Sequence, residues 1–394
     1  MNHRAWVEVD LERLRQNLRS LARLVAPAQV VAVVKSEAYG HGLVPVAMAL
    51  EQEDIWGACV VHPEEGVRLR KAGFKKPILL VGASFPEEME EAIQHNVTLA
   101  VYGLEQAKEI SQAAQRCSGE AVVHLKFDTG LSRLAVTSDQ AAQTYREVSA
   151  LPGLKIEGVY SHLADAEGLD QSFTFKQFQN FKTCLDSLEQ EGFEPELRHI
   201  GASAAAMLLQ HTRLNLVRIG ISLYGYWPSQ ETKILHYGAN NDLVKRLENK
   251  LLDRETPYIE PLFRPAMSFC AQVIQTKWIS EGAKVGYGCT FEAQRRTRVA
   301  VLPVGYAEGY DRHLSNGGEV LLHGRRARVL GRVCMNLTVV DVTDIPAAKK
   351  GSVATLWGRS DEAELPVEEV ASKIGTINYE VITRIPASIP RVYL

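Results

Sequence analysis

The sequence predicts an α/β barrel followed by a mostly-β domain, and three observations predict it. From residue 28 to 225, short β-branched runs alternate with amphipathic stretches. After residue 264, strand-like runs follow one another with almost no helix between them. The 394 residues also exceed what one hydrophobic core usually organises, so two domains are expected. The boundaries read as a barrel over 1–235, a linker with an extra helix over 236–263, and a mostly-β domain over 264–394.

Eight candidate strands fall in order along the first part. They are VVAVVKS (30–36), WGACVVHP (56–63), PILLVGA (77–83), VTLAVYG (97–103), AVVHLKFD (121–128), LKIEGVYSHL (154–163), LRHIGAS (197–203) and LVRIGISLYG (216–225). Most are near-continuously apolar, as strands covered on both faces are. PEEGVRLRKAG (63–73) and FTFKQFQNFKTCLDSLEQEG (173–192) read as helices between them. Eight parallel strands with crossovers in about 200 residues is the count of a TIM-type (β/α)8 barrel. A doubly wound open sheet competes, but no Gly-x-Gly-x-x-Gly opens a helix after a first strand. Farther on, NNDLVKRLENKLLDRE (240–255) carries Leu243, Leu247 and Leu251 at helical spacing. The strands after 264 are split by turn signals such as NGG (316–318), and one short helix, VEEVASKIG (367–375), comes late.

Composition narrows the function classes. Hydrophobic residues make up 46% and charged residues 23%, as in ordinary soluble domains. A net charge of −3 gives no basic nucleic-acid surface. No apolar run approaches a membrane span, and the acidic, broken N-terminus does not read as a signal peptide. The six cysteines show no Cys-x-x-Cys spacing, so neither a structural zinc nor a disulfide framework is expected, and a reducing cytoplasm fits best. His41 and His62 have no metal spacing, so no metal site is expected.

In such a barrel, chemistry sits at the carboxyl ends of the strands. Strand one ends in Lys35, then Tyr39 and Gly40; strand five ends in Lys126 and Asp128, then Arg133. Strand six ends in Ser161 and His162, strand seven in Gly201 and Ser203, and strand eight carries Arg218 and Gly220. Ser203 with the helix-start amide of Ala204 suits an anion, and Gly220 lets backbone approach it; a phosphate is the natural occupant. Lys35, in an apolar setting near other cations, suits an amine nucleophile. A Schiff-base lysine beside a phosphate site points to pyridoxal 5′-phosphate (PLP) or to a sugar-phosphate aldolase. A cationic partner for a pyridine nitrogen, which Arg218 could supply, favours PLP.

These residues resemble those of bacterial alanine racemase, a PLP enzyme with a barrel and a β domain. VVKSEAYGHG (33–42), HLKFDTGLSRL (124–134), YSHLADAEG (160–168), HIGASAA (199–205) and VRIGISLYG (217–225) match that family's strand ends. VGYGCTF (285–291), PVGYAEGYDR (303–312), GRVCMN (331–336) and INYEV (377–381) match in order in the second part. The chain departs at Glu37, where Asn is usual, and at Ala202, where Asn is frequent. The resemblance implies that Lys35 carries PLP and serves as base on one substrate face. Tyr287, arriving from a partner subunit, would be the base on the other. His162 and Arg218 would stand in line behind Tyr287, with Arg218 at the pyridine nitrogen. Tyr39, Ser203, Gly220, Ile221 and Tyr379 would hold the phosphate. Arg133 would meet the cofactor's phenolic oxygen and the substrate carboxylate, oriented by a carbamylated Lys126. Met335, also from the partner, would bind the substrate carboxylate, and Tyr306 would narrow the entrance, with Arg312 and Arg332 farther out. A homodimer with shared sites, interconversion of L- and D-alanine for peptidoglycan, weak activity on serine and a bacterial cytoplasm follow from the same resemblance. The alternatives are a broader-specificity racemase, a PLP-dependent amino-acid decarboxylase and a PLP carrier. Arg218 speaks against the decarboxylase, and the β domain with Tyr287 against the carrier.

Overall fold

The computed structural model describes residues 3–239 and 263–394. The chain forms two compact units. One comprises Arg13–Ser36 with Leu43–Arg264; the other comprises Met1–Glu12, Glu37–Gly42 and Pro265–Leu394.

The first unit is a closed barrel of eight parallel strands. Strand one is Gln29–Val33, two Gly57–Val60, three Ile78–Leu80 and four Leu99–Val101. Strand five is Ala121–Asp128, six Leu154–Tyr160, seven Leu197–His199 and eight Leu216–Ile219. Strands eight, one, two and three pair in that order, as do four, five, six and seven. Parallel bridges Leu79–Thr98 and Ala202–Arg218 close the two halves into a ring. Strand one buries Val30, Val31, Ala32 and Val33, as a strand covered on both faces must. The helices cover the ring by apolar stripes. Leu104–Arg116, for example, buries Ala107, Ile110, Ala113 and Ala114, at spacings that fall on one helical face. The helix Leu11–Val25 buries Leu14, Leu18, Leu21 and Val25, each such side chain being worth roughly 1.5–3 kcal/mol. The amphipathic pattern over 240–255 lies outside the described residues.

The strands are shorter than the apolar runs because each run also contains the turn that follows. VVAVVKS ends as strand at Val33, and Lys35–Tyr39 forms a separate helical turn. That turn is left-handed: Ser36, Glu37, Ala38 and Tyr39 have φ of 56°, 55°, 51° and 53°. L-residues resist this conformation by about 1–2 kcal/mol each, so the surroundings must impose it. Alternation along a strand therefore does not orient Glu37.

In the second unit, Ala5–Val9 runs antiparallel to Met267–Gln272 and parallel to Arg391–Tyr393. This strand, which the sequence-based division places in residues 1–235, is thus paired on both edges within the β-rich unit. Val353–Ser360, Glu319–Leu322 and Arg325–Arg328 continue the same sheet beyond Met267–Gln272. A second sheet joins Gln275–Ile279, Thr297–Leu302 and Thr338–Asp341. Two short helices, Val367–Ile374 and Asn378–Thr383, lie late in this unit where one was expected. INYEV enters the second of them. Among the described residues, no helix is long and apolar enough to cross a membrane.

Candidate active site

Barrel geometry delivers the expected cations to one place. Strand five ends by placing Lys126, which is buried, beside Arg133, Arg218 and Lys35 in electrostatic reach. His162, after strand six, feels Arg218, Lys126, Arg133 and Lys35. A small open pocket is lined by Lys126, Asp128, Arg133, Ser161 and His162. Arg218 on strand eight is buried and donates from Nη2 to the carbonyls of Ser161 (2.8 Å) and Ile200 (3.0 Å) and to His162 Nδ1 (3.2 Å). Its Nη1 donates to His199 Nδ1 at 2.5 Å. Gly220 N–H donates to Ser203 Oγ at 3.0 Å, joining the ends of strands seven and eight, with Ile221 buried next to them. Ala202 offers the Ser203–Leu208 helix no side-chain cap.

Burial dominates the electrostatics. It pulls the Lys126 ammonium down to about 8, helped by Arg133 and Arg218. Asp128 acts on Lys126 in the opposite direction, as a nearby carboxylate, but less than burial and the two arginines do. The Asp128 carboxylate accepts from the backbone N–H groups of Gly130 and Ser132. Burial, then Arg218, holds His162 well below the ordinary histidine range.

Lys35 is half-buried, and its position is set by the turn it opens. Glu65, three residues into the helix Pro63–Lys71, accepts from the N–H groups of Ser36 (2.6 Å), Val61 (2.9 Å) and His62 (3.2 Å). One carboxylate thus ties the start of the left-handed turn to the end of strand two. Sequence reasoning did not find Glu65; its signal was an acid in the first turn after a proline-started helix.

The remaining expected residues lie in the β-rich unit. Tyr39 packs on Tyr379, with ring centroids 6.2 Å apart. Arg391 Nε donates to the Gly40 carbonyl at 3.0 Å, and Glu37 interacts electrostatically with Arg391 and Tyr393. A side chain at Gly40 would collide with the Ile382 carbonyl oxygen. Tyr287 sits on the turn Gly286–Cys289, with φ of 73° at both Gly286 and Gly288, and is 73% exposed. A Cβ at Gly288 would lie 3.0 Å from the Arg332 guanidinium, which faces that turn. Tyr306 N–H donates to the Cys334 carbonyl (3.2 Å) and Ala307 N–H to the Met335 carbonyl (3.0 Å). Tyr287, Tyr306, Met335 and Arg332 therefore gather around one loop, residues 331–335, with Tyr306 and Met335 also exposed. Arg312 lies exposed in the short 3₁₀ turn Arg312–Leu314.

Two imidazoles and a carboxylate escaped the sequence reading: His124, His199 and Glu157. His124 stands two residues before Lys126, a spacing that puts both on the same face of strand five. His199 closes strand seven.

The donor set fits PLP. A half-buried lysine amine and a buried guanidinium lie with two further cations, Lys126 and Arg133, and a serine–glycine pair joins the ends of strands seven and eight, which suits an anionic, ring-bearing group. Among the described residues, no group of three or more His, Cys, Asp or Glu side chains is placed to hold a metal ion.

Residues 9–228 match the model of the alanine racemase N-terminal domain, and residues 266–393 match that of the C-terminal domain. The chain is 41% identical to the alanine racemase of Desulforamulus reducens over 396 residues, covering 100% of both chains. It is 36% identical to that of Methanococcus maripaludis over the same span and coverage. Among solved structures, alanine racemase of Clostridium difficile 630 superposes with a TM-score of 0.89 at 31% identity, covering 100% of this chain and 96% of that one. The alanine racemase of D-cycloserine-producing Streptomyces lavendulae gives a TM-score of 0.88 at 33% identity, covering 100% and 98%.

Proposed function

The chain belongs to the alanine racemase family, and on that premise we propose that it interconverts L- and D-alanine with PLP by a two-base mechanism. The observation that carries this is the cationic barrel end, where Arg218, a donor that cannot accept, meets His162 beside Lys35, Lys126 and Arg133. PLP, when bound, supplies the electron sink that makes the Cα proton of alanine removable. Lys35 would hold it covalently, Arg218 its ring nitrogen, and Tyr39, Ser203, Gly220, Ile221 and Tyr379 its phosphate. Arg133 would meet its phenolic oxygen.

Racemisation removes a proton from one face of a carbon and returns one to the other. Two bases on opposite faces do this without either crossing the ring. The Lys35 amine takes or returns the proton on one face, and the Tyr287 phenol of a second copy of the chain does so on the other. His162 would stand behind Tyr287 of the second copy; burial and Arg218 keep its imidazole neutral, so it would relay a hydrogen bond without competing for the proton. Arg133 holds the substrate carboxylate, Met335 of the second copy meets it through its backbone amide, and Tyr306 narrows the entrance. A guanidinium keeps its proton, so Arg218 would donate to the ring nitrogen without protonating it, which would keep the electron sink modest and suppress side reactions.

The exposure of Tyr287, Tyr306 and Met335 supports a homodimer that shares its sites. Lys126, buried and with its ammonium lowered to about 8, is suited to react with CO₂, forming a carbamate that orients Arg133 and releasing a proton. The activity is placed in the bacterial cytoplasm, supplying D-alanine for peptidoglycan; six free cysteines accord with that compartment.

The test is an absorbance spectrum of the purified protein with added PLP, followed by L-alanine and a D-amino-acid oxidase readout. A cofactor band absent from Lys35→Ala, with D-alanine appearing, supports the reading. A band with no D-alanine points to the carrier or decarboxylase, and no band removes the cofactor.

A further inference from the structure

The guanidinium of Arg218 has five N–H groups and no acceptor, so each hydrogen bond it makes fixes the state of its partner. His199 Nδ1, 2.5 Å from Arg218 Nη1, must accept, which leaves the hydrogen of this neutral ring on Nε2. That Nε2 lies 2.8 Å from His124 Nδ1, which must accept in turn. The His124 hydrogen is then on Nε2, 3.0 Å from Glu157 Oε2, which accepts. One direction of donation runs from Arg218 through two imidazoles to a carboxylate. Burial holds both rings below the ordinary histidine range, so both are neutral at pH 7.

The backbone builds this line. Between strands five and six, Val123 pairs with Ile156 but His124 pairs with Gly158, leaving Glu157 as an extra, bulged residue. A bulge re-aims a side chain, and here it directs Glu157 to His124. Gly158 makes room: a Cβ there would lie 2.9 Å from His124 Cε1. The Tyr160 ring stacks on His199 at 4.9 Å and 6°, fixing its plane, and the Arg218 guanidinium carbon lies 5.4 Å from the Tyr160 centroid. His124 and His199 are fully buried, while Glu157 reaches partly to solvent. No carboxylate is among the direct hydrogen-bond partners of Arg218 in the described residues.

We propose that Glu157, His124 and His199 are positioning residues for Arg218. Their hydrogen-bond line fixes the orientation of the guanidinium and brings it a carboxylate counter-charge from the far side of two neutral rings. The consequence for turnover rests on the racemase reading, in which Arg218 holds the cofactor's ring nitrogen. With the line intact, the guanidinium offers that nitrogen one fixed donor direction; with it broken, the guanidinium reorients and proton removal slows while alanine binding is little changed.

The experiment combines ¹⁵N spectra of the histidine side chains, recorded with and without PLP, with alanine kinetics. The parent protein is expected to show His124 and His199 as neutral Nε2–H tautomers in both states. Glu157→Leu is expected to lose the His124 tautomer preference, still form the PLP band, and lower kcat about tenfold with KM changed by less than about twofold. Glu157→Gln, whose amide oxygen accepts the same N–H, is expected to restore the tautomer and most of kcat. Should Glu157→Leu fail to fold, Glu157→Asp, one methylene short of His124, is expected to move both readouts in the same direction by less. Unchanged tautomers and a kcat within about twofold of the parent in these variants would overturn the proposal. If the parent turns over no alanine, the racemase reading fails separately and the tautomers alone decide the relay.

Discussion

At the barrel end, Lys126, Ser203 and Arg218 are buried, and Arg218 is held by two imidazoles and two carbonyls. In the β-rich unit, Tyr287, Tyr306 and Met335 stand exposed, Tyr287 between two glycines of positive φ and Tyr306 next to Gly305, which has no room for a side chain. The first region fixes its guanidinium by its own hydrogen bonds and is tuned by burial. The second is rigid in backbone but has its side chains unspent. A preorganised cationic floor costs desolvation once, at folding, and thereafter meets charge without rearranging. Exposed phenols on stiff turns gain their surroundings only when another surface arrives, which is why the proposal assigns them to a second copy.

The sharpest way to break this contrast is to disable each region separately. Lys35→Ala and Tyr287→Phe are each expected to lower D-alanine formation by about 10³-fold or more, as the loss of a proton-transferring group does. Co-expressing the two variants should restore about one quarter of the parent activity, because half the dimers are mixed and each holds one intact site. No restoration would put both bases in one chain and remove the shared site.

Substrate choice probes the tyrosine side. If Tyr287, Tyr306 and Tyr379 crowd a methyl-sized pocket, serine should turn over about 10–100-fold less well than alanine, since one small group is worth only about 1–3 kcal/mol. Equal turnover of serine and alanine would contradict the tight pocket.

Lys126 probes the barrel side. With its ammonium lowered to about 8 by burial and neighbouring arginines, protein stripped of CO₂ near that pH should recover activity several-fold on adding bicarbonate. A ¹³C carbamate signal, absent from Lys126→Ala, should accompany it. Activity indifferent to bicarbonate, with no such signal, removes the carbamate.

The smallest effect is on stability. His124, His162 and His199 in the barrel unit have folded values lowered by burial from the ordinary 6.5. The unfolded chain then binds more protons than the folded one below that value. Their neutral burial is therefore fully compatible with folding above about pH 6.5, and stability falls as pH drops below it. His41 in the β-rich unit, lowered to about 4, adds one group of the same sign. Melting temperatures should decline from pH 6.5 toward 4, and hydrogen exchange should open the barrel strands before the β sheet. An order reversed would mean that acid acts mainly elsewhere.

Residue order alone made the barrel and its rim legible. Apolar runs at regular spacing set eight parallel strands, and topology sends the residue after each strand to the same end, so Lys35, Lys126, His162, Ser203 and Arg218 could be named together before any coordinate. Tyr287 and Met335 were named only through the family resemblance of the motif pieces around them. What residue order did not determine is local and three-dimensional. A left-handed turn of four L-residues after Val33 is disfavoured by its own chemistry and exists because Glu65 and Arg391 hold it. The strand Ala5–Val9 finds partners more than 250 residues away. The line from Glu157 to Arg218 depends on one bulged residue and a missing Cβ at Gly158. Periodicity and composition report average environments along the chain. Hydrogen bonds between side chains on separate strands depend on register, and register is decided only when the strands pack.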